Sequence, residues 1–116
     1  MVDRKWLEFI ETIGFTKRLE QIASRETLQA IQSDLIENPE RGPVVRATNG
    51  ARKGRVADPL SSRGKSGSFR YYYVYLPRRE QVYLLAIFGK NEAADLSSEQ
   101  KKQVAKAIAA IRKEDQ

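Results

Sequence analysis

Two apolar, aromatic-rich runs stand almost end to end in this chain, "SFRYYYVYL" at residues 68–76 and "QVYLLAIFG" at residues 81–89, separated only by "PRRE". A short polar turn between two such runs predicts a β-hairpin. Successive strand side chains point to opposite faces, so Phe69, Tyr71, Tyr73 and Tyr75 share one side, and Ser68, Arg70, Tyr72, Val74 and Leu76 share the other. One face is entirely aromatic. Burying those rings is favourable by roughly 25 cal/mol per Å², so the aromatic face is expected to form the core.

The remaining elements are arranged around this hairpin. Trp6, Phe9, Ile10 and Ile13 supply an apolar start that is assigned to a first strand, although its mixed pattern also fits a helix. Apolar positions 15, 19 and 22 have helical spacing, and Ser24 reads as the N-cap of a second helix with Leu28, Ile31 and Leu35 on one face. Proline disfavours helix in the residue before it, so "NPERGP" ends that helix. A loop over residues 38–51 then leads to a short basic strand, "RKGRVA", and the glycine-containing "DPLSSRGKSG" leads into the hairpin. Ser97 and Gln100 form a capping-box pattern before a last helix with Val104, Ile108 and Ile111 on one face. The order predicts an α+β fold: a small, mostly antiparallel sheet with two N-terminal helices packed on one face and a C-terminal helix. At 116 residues, a single domain over 1–116 is expected.

Charge is distributed unevenly. Residues 41–80 carry ten basic side chains against the acids Asp58 and Glu80, a local +8 in a chain of net +6, which leaves −2 for the rest. A basic block between slightly acidic flanks is expected of a face that binds a polyanion, with a solvated surface as the plainer reading. Cysteine and histidine are both absent. Disulfides, thiolate zinc sites and histidine general bases are thereby excluded, and no metal or other cofactor is expected. No apolar run approaches the roughly 20 residues of a membrane span, and acids at Asp3, Glu8 and Glu11 interrupt the start of the chain, so a cytoplasmic location without membrane contact is expected.

The polar face of the hairpin collects the candidate site. Arg70 and Tyr72 share it, and the basic strand is expected to align Lys53 and Arg55 beside them. Gathering like charges is unfavourable in itself, which points to an anion as their partner. Salt bridges to Glu92 or Asp95 are the alternative. Gly89 breaks the last strand, placing Lys90 and Asn91 at its rim, where Lys90 fits either a functional group or a solvated edge residue. Tyr72 fits a proton donor, a stacking group or a packing residue. Lys101, Lys102, Lys106, Arg112 and Lys113 on the last helix read most simply as its solvated back.

Taken in order, "RKGRVAD", the basic loop with "SFRYYYVYL", and "VYLLAIFGKNEAADLSSEQKKQV" resemble the RelE toxin superfamily, most closely its HigB-like branch, over residues 15–113. The resemblance implies a ribosome-dependent mRNA endonuclease that acts in the ribosomal A site. It also implies neutralisation by a cognate antitoxin, typically a helix-turn-helix protein, with operator DNA reached only through the complex of the two. Lys53 and Arg55 match the family's basic pair, Arg70 its phosphate-contacting arginine and Lys90 the lysine after the strand-ending glycine. Asn91 stands where RelE has a second catalytic arginine, and Ser97 stands at about the place of its catalytic tyrosine, departures that fit the "GKNE" variant of the HigB-like branch and leave the general base and acid unassigned.

The catalytic set expected from these readings is Arg70, Lys90, Lys53 and Tyr72, with Arg55, Arg52, Arg63, Lys65 and Asn91 contacting RNA phosphates. Metal-independent cleavage by a 2′-hydroxyl needs a proton acceptor, stabilisation of a dianionic phosphorane and protonation of the leaving oxygen. Arginine and lysine suit the middle task, and a lysine crowded by other cations, Lys90 or Lys53, would suit proton transfer. Two other function classes share much of this profile: a ParE-like inhibitor of DNA gyrase without catalysis, and a basic RNA-binding module.

Overall fold

The computed structural model describes residues 6–61, 68–92 and 95–114. The elements follow in the order β1 (Glu8–Glu11), α1 (Ile13–Ile22), α2 (Arg25–Glu37), β2 (Arg52–Ala57), β3 (Ser68–Leu76), β4 (Gln81–Phe88) and α3 (Ser98–Lys113). They form one sheet in the order β1-β4-β3-β2. The pairs β2–β3 and β3–β4 are antiparallel, while β1 lies parallel to β4. This is the expected α+β arrangement, with β1 as the first strand.

Side-chain hydroxyls start each helix. Thr12 accepts from the Phe15 amide, Ser24 from the Thr27 amide, and Ser97 from the Gln100 amide while Gln100 reaches back to the Ser97 amide. Each of these caps satisfies a backbone donor that the first helical turn leaves open. The reciprocal pair at Ser97 is the capping box expected from the sequence.

Two apolar layers sandwich the sheet. On one face, Phe69, Tyr71 and Tyr73 of β3 and Val82, Leu84 and Ile87 of β4 pack with Phe15, Leu19, Ile31 and Leu35 of α1 and α2, with Tyr75 partly buried at the margin. On the other, Val74 and Leu76 pack with Ala51 and with Ile108 of α3. A β-bulge falls where Tyr72 pairs with Ala86 and Tyr73 with Leu84. The extra residue, Leu85, shifts the alternation of β4, which is why Ile87 rather than Ala86 enters the first core.

Buried phenols need polar partners, and Tyr73 has two. Its hydroxyl accepts from the Gly42 amide at 3.2 Å and donates to the Pro39 carbonyl at 2.9 Å, tying the 39–42 loop to the central strand. Tyr71 instead crosses its cross-strand partner Gly54. A Cβ on residue 54 would lie 2.3 Å from the Tyr71 ring, so only glycine fits there.

Gly54→Ala is therefore expected to destabilise the fold by about 1–3 kcal/mol, the usual cost of overpacking a fixed ring. Urea unfolding followed by circular dichroism measures this; an unchanged midpoint would show that the ring moves aside freely.

Candidate functional site

The β2–β3 register sets Lys53 opposite Tyr72 and Arg55 opposite Arg70. Because the Lys53 amide donates outward to the Pro43 carbonyl at 3.0 Å, these are the pairs without mutual backbone hydrogen bonds, in which side chains approach most closely. Like charges directly opposite one another are destabilising in a sheet. The row continues across β4, where Phe88 pairs with Arg70 and Ala86 with Tyr72. Since α3 covers the Val74 and Leu76 half of this face, the Arg70 half is left at the open end of the sheet.

Arg70 is half-buried and aimed along β4. Its Nη2 donates to the carbonyls of Gly89 at 3.0 Å and Glu92 at 2.6 Å, and more distantly to that of Lys90. Its Nε is buried and has no hydrogen-bond partner among the described residues. A second clamp holds the same turn: the Glu92 carboxylate accepts from the Gly89 amide at 2.6 Å and forms an ion pair with Arg18 of α1. The Gly89 amide above all, and then Arg18, hold the Glu92 carboxyl below its usual range. Arg18 was invisible to sequence reasoning, because nothing local connects it to residue 92. The Glu92 clamp had a faint signal in its three-residue spacing from the strand-ending Gly89.

Both lysines meet carboxylates. Lys53 Nζ lies 3.0 Å from Asp95, and Lys90 Nζ lies 3.2 Å from Asp58 and 5.7 Å from the centre of the Phe69 ring. Each lysine thus has a carboxylate partner, whereas the expectation of lysine-mediated proton transfer rested on crowding by other cations. Asp58 is kept ionised chiefly by the Leu60 amide and also by Lys90, and Asp95 by Lys53. The alternative of a salt bridge to Asp95 is realised for Lys53, whereas Glu92 pairs with Arg18 and meets Arg70 only through its carbonyl.

Arg55 is exposed, and among the described residues no side-chain hydrogen bond or ion pair engages it. Arg52 alternates to the other side, where it donates to the carbonyls of Glu40 at 3.0 Å and Gly42 at 2.7 Å, so it does not join the cluster. Asn91 is exposed in the turn after β4. Arg63 and Lys65 lie outside the described residues. Tyr72 is only 1% exposed, with its ring edge-on to Phe88 at 5.8 Å, which leaves no free face for a base to stack on. Burial raises its pKa, opposed chiefly by Lys53, so the phenol is neutral at ordinary pH. Of the readings open for Tyr72, packing agrees best with this environment.

No protein-family model matches the chain. Solved structures do. A double arginine-to-alanine mutant of the E. coli toxin RelE in the free state is 21% identical, covering 88% of this chain and 97% of that one with a TM-score of 0.60. The fold is that of RelE. The isolated E. coli RelE toxin is 18% identical over 91% of this chain and 99% of its own, with a TM-score of 0.54. A chain of the intact E. coli RelBE toxin–antitoxin complex is 17% identical over 76% of this chain and all of its own, with a TM-score of 0.56. Among the described residues, no helix is long and apolar enough to cross a membrane.

The Glu92 clamp makes a prediction about pH. A carboxyl whose folded pKa is depressed contributes stability that is present above its unfolded value, here the ordinary 4.5, and lost as pH falls through the lower folded value. Wild type should thus melt higher than Glu92→Gln at pH 7, and the gap should close as pH drops below 4.5. Thermal melts across that range measure it; a gap that persists at pH 2 would assign the difference to something other than the ionised carboxylate.

Proposed function

We propose that this chain is the toxin of a type II toxin–antitoxin system, of the HigB-like branch of the RelE superfamily, and that it is an endoribonuclease that cleaves translated mRNA in the ribosomal A site. The observation that carries this reading is the closest-approach pairing of Arg55 with Arg70 at the open end of a RelE-like sheet, flanked by Lys53 and Lys90. Two arginines at directly opposed strand positions repel unless an anion joins them, and a phosphodiester is such an anion.

In this reading Arg55 and Arg70 bind the scissile phosphate and stabilise the charge that develops as the 2′-hydroxyl attacks it. Lys53 and Lys90 exchange Asp95 and Asp58 for RNA oxygens. That exchange costs little at Lys53, because Asp95 is 89% exposed and such pairs contribute little. Arg70 has a second duty, since it pins the turn that carries Lys90 and Asn91. Tyr72 supports Lys53 and Arg70 from beneath. The ribosome completes the geometry, and a cognate helix-turn-helix antitoxin neutralises the protein, with operator DNA reached through their complex.

The double duty of Arg70 decides how the reading is tested. Arg70→Ala should lower cleavage of translated mRNA by about 10²-fold or more, the range for removing a transition-state donor, but it also releases the turn. Arg55→Ala is the cleaner variant, with an expected loss of about tenfold or more and a melting temperature that is equal to or slightly above wild type, because the opposed charge is relieved. The assay maps 5′ ends of cellular mRNA after brief induction, with and without translation. Full toxicity of a folded Arg55→Ala, Arg70→Ala double variant would overturn the reading, and gyrase inhibition without RNA cleavage would replace it with the ParE-like one.

A further inference from the structure

A cleft opens at the outer edge of β2 and adjoins the Arg70 cluster through Lys53 and Arg55. It measures about 420 Å³ and is lined by Arg41, Gly42, Pro43, Lys53, Gly54, Arg55 and Tyr71. Two glycines keep it open. Besides the Tyr71 contact at residue 54, a Cβ on residue 42 would lie 2.4 Å from the Lys53 carbonyl oxygen.

Three hydrogen-bond donors border this cleft. The first is backbone: the Lys53 amide points away from β3 to reach Pro43, so by the two-residue alternation the Arg55 amide also points outward, past the end of that short bridge. The second is the Tyr71 hydroxyl, for which no partner is found among the described residues, although the ring is buried and its oxygen sits over Gly54. The third is the exposed Arg41 guanidinium, loosely paired with Asp34 at 3.6 Å and with the Asp34 carbonyl at 3.4 Å. The carbonyl of Lys53 and the carboxylate of Asp34 are the opposing acceptors nearby.

Resting on the nuclease reading above, we propose that this cleft is a second phosphodiester site. The RNA strand crosses the β2 edge, with one phosphate between Arg55 and Arg70 and a neighbouring one held by Arg41, the Arg55 amide and the Tyr71 hydroxyl. Arg55 stands at the crossing, its side chain toward the first phosphate and its amide toward the second. A charged donor, a neutral phenol and a backbone amide around an open cleft match the oxygens of a phosphate better than an apolar ligand. Arg41 is then a binding residue rather than a catalytic one. It anchors the strand beside the reacting phosphate.

The test uses a noncleavable 2′-O-methyl RNA oligonucleotide and the full chain, with fluorescence anisotropy read over a range of salt. Arg41→Ala should weaken binding about tenfold at low salt and flatten the log–log salt slope by roughly 0.7, the value for one phosphate contact on a single strand. Tyr71→Phe keeps the ring over Gly54 and should weaken binding several-fold without changing the slope. Lys106→Ala, on the outer side of α3, should change neither. In cleavage of translated mRNA, Arg41→Ala should raise KM and leave kcat within about twofold. If Arg41→Ala and Tyr71→Phe both bind like wild type, the cleft is not an RNA site and the proposal fails. If Arg41→Ala weakens binding while wild type cleaves no translated mRNA, the nuclease reading fails and the phosphate site stands.

Discussion

The central constraint in this protein is the way two tyrosines of β3 are buried. Tyr71 can lie flat against the sheet only where its partner strand has no side chain, at Gly54, and Tyr73 can be buried only where backbone groups satisfy its hydroxyl, at Pro39 and Gly42. Each fully buried ring removes about 150–250 Å² from water, on the order of 4–6 kcal/mol before entropy is counted. That gain sets the pairing of β2 with β3, because a slip of one residue would drive the Tyr71 ring into a side chain. The entry loop before β2 is held by the same ring system.

With that register in place, the opposite face has little freedom. Arg55 must stand beside Arg70 and Lys53 beside Tyr72. The C-terminal helix covers only the Val74 and Leu76 end of the face, and Arg112 and Asn49 anchor that helix at its far end through backbone carbonyls. Arg112 thus binds the 49-turn rather than forming part of a solvated back. The cations are consequently gathered at the uncovered end by the same packing that forms the two cores.

Carboxylates then distribute this positive charge. Asp58, Glu92 and Asp95 are all held ionised, and each faces a different basic side chain, Lys90, Arg18 and Lys53 respectively. Arg70 is held by backbone carbonyls instead, and Arg55 stands exposed beside it. The outcome is a graded surface: a fixed guanidinium, an exposed one, and two lysines paired with carboxylates, Asp95 exposed and Asp58 largely shielded. Such a surface suits a ligand that replaces the carboxylates with phosphates.

Much of the fold was legible in the chain itself. Periodicity located the hairpin, the three helices and the serine caps, because these are decided by local spacing and by hydroxyls that reach backbone donors a few residues away. Strand alternation also placed Lys53, Arg55 and Arg70 on one face and the ring system of Phe69, Tyr71 and Tyr73 on the other. Composition grouped Arg52 with its basic neighbours, whereas alternation turns it to the other side, and nothing in the local pattern signals the bulge at Leu85. The Arg18–Glu92 clamp, the Lys90–Asp58 pair and the cleft beside Arg41 were not legible, since each joins residues far apart in sequence. The sequence alone determined the elements and the sidedness of the central strand, which follow from local spacing. Only tertiary structure decided which acid each base meets, which tyrosine is sealed and which end of the sheet stays open, because those depend on where distant segments are brought together by the packing of the core.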